Sequence, residues 1–346
     1  MAASELRGSK AAAGGCGSRM PERQLGMAGR QHRIEAIAMI AKAPMLWFAM
    51  LLTGISPALA DPPQCQLKRM VVLDMQTGRR GDVSVPVTIE NHPARLMIDT
   101  GGAYSTVDAS FAQFAGLKEW QTHGVDITMS GGIPLNYYTM ADSFQLGPVP
   151  GKDIRFLVVP TSVSVGESMG TLGADVMSGF DIDLDFAGSK FSVFSPDHCP
   201  GKVVYWTTGA YASVPIALDR GNHISVSIML DGKPLKAILD TGASRSFMNF
   251  RAAREIFGIV ENNPQLKATG SRNMNGVVPL ESFRYPFSSI TFEGIEIRNP
   301  DIEIIKYPDS DNIESDLILG IGVLRQLHMY IAYGEKMLYL TPAEAH

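Results

Sequence analysis

Only three cysteines occur in 346 residues, too few for a disulfide-built scaffold or a set of zinc-ligating pairs. Basic residues are also scarce: 30 Lys and Arg stand against 35 Asp and Glu. That excludes the broad basic surface that nucleic acid selects. No clustered basic helix suggests binding at a membrane surface. Long apolar runs are missing except for one near the N-terminus, Met45 to Ile55, which is shorter than the ~20 residues of a spanning helix. Sustained helical periodicity is absent too. Apolar residues instead alternate or come in short runs, the pattern of strands.

The first sixty residues stand apart. Lys42 precedes the apolar run, Pro57 breaks it, and Ala58-Leu59-Ala60 supplies small residues at a cleavage position. Residues 1–60 are therefore expected to be a leader with a secretory signal peptide, cut after Ala60. Translation could begin at Met27 or Met39, and an uncleaved leader acting as an anchor is the alternative. The expected compartment is the periplasm or the exterior, with no stable membrane insertion beyond the leader. The leader carries 7 basic and 3 acidic residues, which leaves a mature chain of formal charge −9. Cys65 and Cys199 remain in it, an even pair in an oxidising compartment. A disulfide between them is one expectation; two separate buried thiols are the other. Around Cys199 the run Asp197-His198-Cys199-Pro200 offers a single neighbouring ligand pair, so no metal site is expected.

The rest of the chain repeats itself. VSVPVTIENHPARLMIDTGGAYSTVD, from Val83, lies without a gap over ISVSIMLDGKPLKAILDTGASRSFMN, from Ile224, at an offset of 141 residues. FAGL at 114–117 matches IFGI at 256–259, and Leu172-Gly173 matches Leu319-Gly320. Each copy reads as mostly strand, with short helices near 109–116 and 250–257 and a turn or two after each Leu-Gly. Leu96–Ile98 and Ala237–Leu239 read as strands buried on both faces. The mature chain is thus an all-β duplication, with lobes over 61–206 and 207–346.

The duplication explains an acid in an awkward place. Asp99 and Asp240 each end an apolar run, although aspartate suits strands poorly and is costly to bury alone. A pseudo-two-fold axis brings equivalent residues together. Two carboxyls held close share one proton, one behaving as base and the other as acid. Gly101 and Gly242 let backbone N–H groups approach the carboxylates, and the hydroxyls of Thr100 and Thr241 can bond across to the opposite loop. A single Asp-Thr-Gly reads as a tight turn; two in register do not. Gly166–Gly170, GESMG, fits the nucleophile elbow of serine hydrolases, but the alternating strand–helix pattern which that motif needs is lacking.

Two copies of apolar-apolar-Asp-Thr-Gly, each followed by a Leu-Gly element, resemble the aspartic peptidases. Ile238-Leu239-Asp240-Thr241-Gly242-Ala243-Ser244 looks most like the retropepsin-like branch, and the leader and short lobes resemble its bacterial single-chain members. The resemblance implies a duplicated retropepsin/pepsin-like acid protease fold, with an active-site cleft between the two lobes. It implies Asp99 and Asp240 as catalytic, Thr100 and Thr241 as residues gripping across the axis, and Gly173 and Gly320 in a loop beneath the active-site strands. A flap is implied in 128–138 or 269–280, through Gly131, Gly132, Asn275 and Gly276, with Tyr137 or Tyr138 as its tyrosine. The implied substrate is a peptide or protein, with no cofactor or metal. A catalytically silent, peptide-binding relative is the alternative. Two departures mark the first lobe: Gly102 follows its triplet, and Asp175 stands opposite Gly322.

Overall fold

The hairpin carrying each Asp-Thr-Gly shows why the repeat is structural. Strand Val83–Ile89 reverses through Glu90 and Asn91, at φ 49° and 62°, into strand His92–Ile98. Strand Ile224–Leu230 reverses through Asp231 and Gly232, at φ 47° and 74°, into Lys233–Asp240. Two central residues with positive φ give the turn whose twist suits a two-residue hairpin. The registers coincide: Ser84 faces Met97 and Ser225 faces Ile238, one repeat later. Leu96, Ile98, Ala237 and Leu239 are buried. Met97 and Ile238 between them are half-exposed, so these strands bury one face rather than both.

The computed structural model describes residues 66–123, 127–129, 133–163, 167–273, 279–307 and 315–344. All lie in one body, Asp61–His346, with Met1–Ala60 a separate unit outside the described residues. The architecture is nearly all-β, with four short helices among the described residues. Two are Ala109–Phe114 and Phe250–Phe257, capped by Asp108 and Asn249 side chains that accept from backbone N–H groups. The other two, Ala174–Met177 and Ile321–Leu324, follow Gly173 and Gly320.

Each acid-bearing strand is held in the middle of its sheet. His92–Ile98 runs parallel to Gly170–Leu172, which runs antiparallel to Thr106–Asp108. Lys233–Asp240 runs parallel to Leu317–Gly320, which runs antiparallel to Ser246–Asn249. The chain therefore returns after some seventy residues and threads a strand between two that were neighbours in sequence. A side chain leaving the end of such a strand is fixed on both flanks.

A six-stranded antiparallel layer joins the halves. The first half contributes Arg69–Asp74, Lys190–Phe194 and Asp181–Asp185; the second contributes Leu327–Ala332, Met337–Pro342 and Ala212–Leu218. At its centre Ile182 faces Ile331 and Asp185 faces His328, a pairing that a two-fold axis maps onto itself. One face of this seam is polar and yet buried. Asp183 accepts from Tyr205 at 2.9 Å and pairs with His328 Nε2 at 3.1 Å. Asp181 pairs with His198 and accepts from Tyr330 at 3.3 Å. Trp206 lies flat on His328, ring centres 4.4 Å apart. Buried carboxylates need such partners.

Candidate active site

Asp99 follows its strand directly, and its N–H still donates to Leu172 at 3.0 Å. Beyond it the two Asp-Thr-Gly loops lock together. Thr100 Oγ1 donates to the Leu239 carbonyl at 2.7 Å and accepts from the Thr241 N–H at 3.1 Å. Thr241 Oγ1 donates to the Ile98 carbonyl at 2.7 Å and accepts from the Thr100 N–H at 3.1 Å. Both threonines are completely buried. The four bonds form a closed, symmetric set, and each hydroxyl satisfies backbone groups that the opposite loop leaves open.

The grip sets the carboxyls side by side. A Cβ placed on Gly101 would lie 2.3 Å from Asp240 Cγ, and one on Gly242 would lie 2.6 Å from Asp99 Cγ. The glycines are required because each loop packs against the acid of the other. The two carboxyls are close enough to act on each other's proton affinity. Asp99 Oδ1 also accepts from Gly101 N–H at 3.1 Å, and Asp240 Oδ1 from Ala243 N–H at 2.9 Å. The acids are part-exposed toward the cleft, but protein atoms crowd them on every other side.

Burial, and then the Asp240 charge, push the Asp99 carboxyl well above the usual carboxylate range, against the pull of the Gly101 and Gly102 N–H groups. Burial also raises Asp240, but Ala243, Gly242, the hydrogen bond from Asp99 and the His223 charge all draw it back. Burial thus raises both acids, and their coupling lets the pair hold one proton between them. Titration belongs to the pair. One acid and one base held side by side can activate a water and protonate a carbonyl in the same step.

The supporting loops repeat across the halves. Gly173 N–H donates to Ser105 Oγ at 2.9 Å, and Gly320 N–H to Ser246 Oγ at 3.0 Å. A Cβ on either glycine would strike backbone, at 2.6 Å from the Tyr104 carbonyl carbon or 2.4 Å from the Arg245 oxygen. Asp175 breaks the symmetry. It accepts from Ser105 N–H at 2.9 Å and Ser105 Oγ–H at 2.7 Å, contacts that Gly322 lacks the side chain to make.

Two hairpins occupy the segments expected to hold a flap. Thr128–Met129 pairs with Ile133–Pro134, and Lys267–Asn273 pairs with Pro279–Arg284. Their tips, with Gly131, Gly132, Asn275 and Gly276, lie outside the described residues. Tyr137 starts the next strand and is exposed, while Tyr138 stacks on Trp120 with ring centres 5.7 Å apart. Cys199 is disulfide-bonded; Cys65 lies outside the described residues. The GESMG segment leads from buried Ser168 into strand Gly170–Leu172, not into the helix of a nucleophile elbow. No group of three metal-ligating side chains occurs among the described residues.

Sequence reasoning missed one contributor. The turn Asp219 to His223 precedes the second hairpin, where His223 Nδ1 pairs with Asp219 at 2.6 Å. It reaches the first half: Asn222 donates to Ser178 at 3.2 Å, and a Cβ on Gly221 would lie 2.9 Å from that of Ala103. The turn thereby brings the His223 ring near enough to Asp240 to act on it electrostatically. The signal was only an ordinary Asp-x-Gly turn, and the first half has Asp82 at the equivalent place.

No curated protein matches the chain significantly. Among solved structures, the basic 7S globulin from soybean aligns with 81% of this chain and 96% of its own, at 11% identity and TM-score 0.45. The aspartic proteinase from Irpex lacteus aligns with 79% of this chain and 97% of its own, at 14% identity and TM-score 0.46. The aspartyl protease family model matches twice, over residues 85–176 and 226–323. Together those segments take in more than half of the sequence and one Asp-Thr-Gly each, and the chain belongs to the aspartyl protease family.

Proposed function

We propose that this chain is an exported aspartic endopeptidase, hydrolysing peptide bonds with a water activated between Asp99 and Asp240. The observation that carries the reading is the packing of each carboxyl against the opposite loop's glycine within the buried threonine grip. The ionised carboxyl of the pair takes a proton from the water as its oxygen attacks the peptide carbonyl carbon. The protonated carboxyl gives its proton to the carbonyl oxygen, producing a neutral tetrahedral diol. Collapse of the diol returns a proton to the leaving amine, breaks the C–N bond and restores the pair. The water needs no metal and no covalent intermediate. Domains over 61–206 and 207–346 would form the walls of the cleft, with one or both hairpins closing over the substrate.

Export follows from the apolar leader and its small-residue end, and a Cys65–Cys199 bond would fit an oxidising compartment. Among the described residues, no helix is long and apolar enough to cross a membrane. Cleavage of a peptide library between pH 4 and 6 tests the activity, with Asp99→Asn and Asp240→Asn as controls. The wild type should cut, and each variant should lose at least ~100-fold, the scale of general acid–base catalysis. Variants that cut as well as the wild type would overturn the mechanism. A wild type that binds peptides and cuts none would instead make the chain a silent binding module.

A further inference from the structure

The two walls of the cleft have diverged at equivalent positions. In the first half, strand Thr106–Asp108 sets Thr106 beside Leu157, which also faces Tyr138. In the second, strand Ser246–Asn249 sets Phe247 beside Glu303, which also faces Arg284. The registers therefore equate Leu157 with Glu303 and Tyr138 with Arg284. The ungapped repeat equates Tyr104 with Arg245. The first set is apolar: Leu157 packs in a cluster with Leu135 and Val159, against Tyr138. The second is charged.

A recess of about 560 Å³ opens at the second set, walled by Ser244, Arg245, Thr269, Ser282 and Arg284, with Glu303 among its lining. Two of its lining residues, Ser244 and Arg245, lie on the loop leaving Asp240. Its charges are layered. Glu303 is 4% exposed and holds Arg245 Nη1 at 2.5 Å. The Arg245 and Arg284 side chains are about half exposed, at 51% and 48%. Arg284 is braced from outside by Asp301, its Nε at 3.0 Å from Oδ1. Each guanidinium is a fork of five donors, and a partner on one side leaves the fork oriented for a second. What the recess offers a visitor is thus two guanidiniums and several hydroxyls, with the Glu303 carboxylate already paired to Arg245.

We propose that this recess binds an acidic side chain of the substrate, so that the peptidase cuts beside an Asp or Glu on one side of the scissile bond and an apolar residue on the other. The proposal rests on the peptidase reading for cleavage but not for binding. A carboxylate docks on paired guanidiniums with charge-assisted hydrogen bonds. A lysine there meets like charge, and a leucine leaves the polar lining dry and unpaired.

The test uses peptides that differ in one residue, Glu, Gln, Leu or Lys, placed in turn on each side of the mapped cleavage bond at pH 6. On one side the wild type should prefer Glu over Leu and Lys by at least tenfold in kcat/KM; on the other it should prefer Leu. Arg245→Gln should reduce the preference for Glu. Because that change removes the Arg245–Glu303 ion pair, a second variant carries Arg245→Leu with Glu303→Leu, which should turn the preference from Glu to Leu. Fluorescence anisotropy of the labelled peptides on the Asp99→Asn chain reads the same selectivity without catalysis. If the wild type cuts nothing but Glu peptides still bind best, the peptidase reading fails and the recess assignment stands. Equal binding of all four peptides, or a preference for Leu or Lys on both sides, overturns the assignment.

Discussion

Replacing Thr100 by valine keeps the side chain's shape and removes its hydroxyl. In the folded protein that hydroxyl serves two groups of the other half, the Leu239 carbonyl at 2.7 Å and the Thr241 N–H at 3.1 Å. Both bonds are buried, and no water can take over without displacing packed atoms. Each stranded backbone group costs ~1–3 kcal/mol, so the variant should lose ~2–5 kcal/mol of a total near 5–15 kcal/mol. At roughly 2–4 °C per kcal/mol for a body of this size, the melting temperature should fall by ~5–15 °C. Thr241→Val removes the symmetric pair of bonds, to Ile98 and Thr100, and should cost nearly the same. Urea and thermal unfolding of the mature chain measure both. Activity should fall further than stability, because the hydroxyls set the spacing of the carboxyls and small misplacements are costly to catalysis. A loss below ~0.5 kcal/mol in either variant would refute the reasoning. So would a large loss in one and none in the other, since the geometry treats the two alike.

The dyad also predicts how stability follows pH. A carboxyl whose folded pKa is raised stabilises the fold below its ordinary value of about 4, and that contribution is lost as pH rises through the raised value. Burial raises both acids, Asp99 further with the charge of Asp240, so Asp99→Asn should gain stability relative to the wild type as pH climbs from about 4 toward neutrality; chemical denaturation across that range checks it, and a constant difference would contradict it. At the joining layer, His328→Leu should cost ~3 kcal/mol by leaving Asp183 buried with one fewer partner, and adding Asp183→Leu should recover part of that loss in the same unfolding measurement.

Much of this architecture was legible because the chain states it twice. The 141-residue offset between Asp99 and Asp240 reappears as the pairing offset of both hairpins. Nothing but a repeated fold requires a glycine, a threonine and an acid at the same three steps. What stayed hidden has physical causes. Asp181 and Asp183 alternate with Ile182 and Leu184, which reads as a strand with one wet face. Both faces are dry, because residues after Cys199 return across the sheet and lay Tyr205 and Trp206 over the acids. Burial by a distant segment leaves no period in the strand that it covers.

The contrast between Leu157 and Glu303 was hidden for another reason. Between the acid-bearing hairpin and the returning strand the halves differ in length, so the offset there is no longer the one read at Asp99. Only the parallel pairings of Thr106 with Leu157 and Phe247 with Glu303 bring the two positions into correspondence. The same comparison separates what the duplication had to keep from what it was free to change. Thr100 and Thr241 each complete the other's bonds, so a change in one half breaks both. Leu157 packs with Leu135, Val159 and Tyr138 of its own half, and Glu303 pairs with Arg245 of its own. Divergence at such positions would let a duplicated peptidase tell one end of a peptide from the other while leaving the threonine grip between Asp99 and Asp240 unchanged.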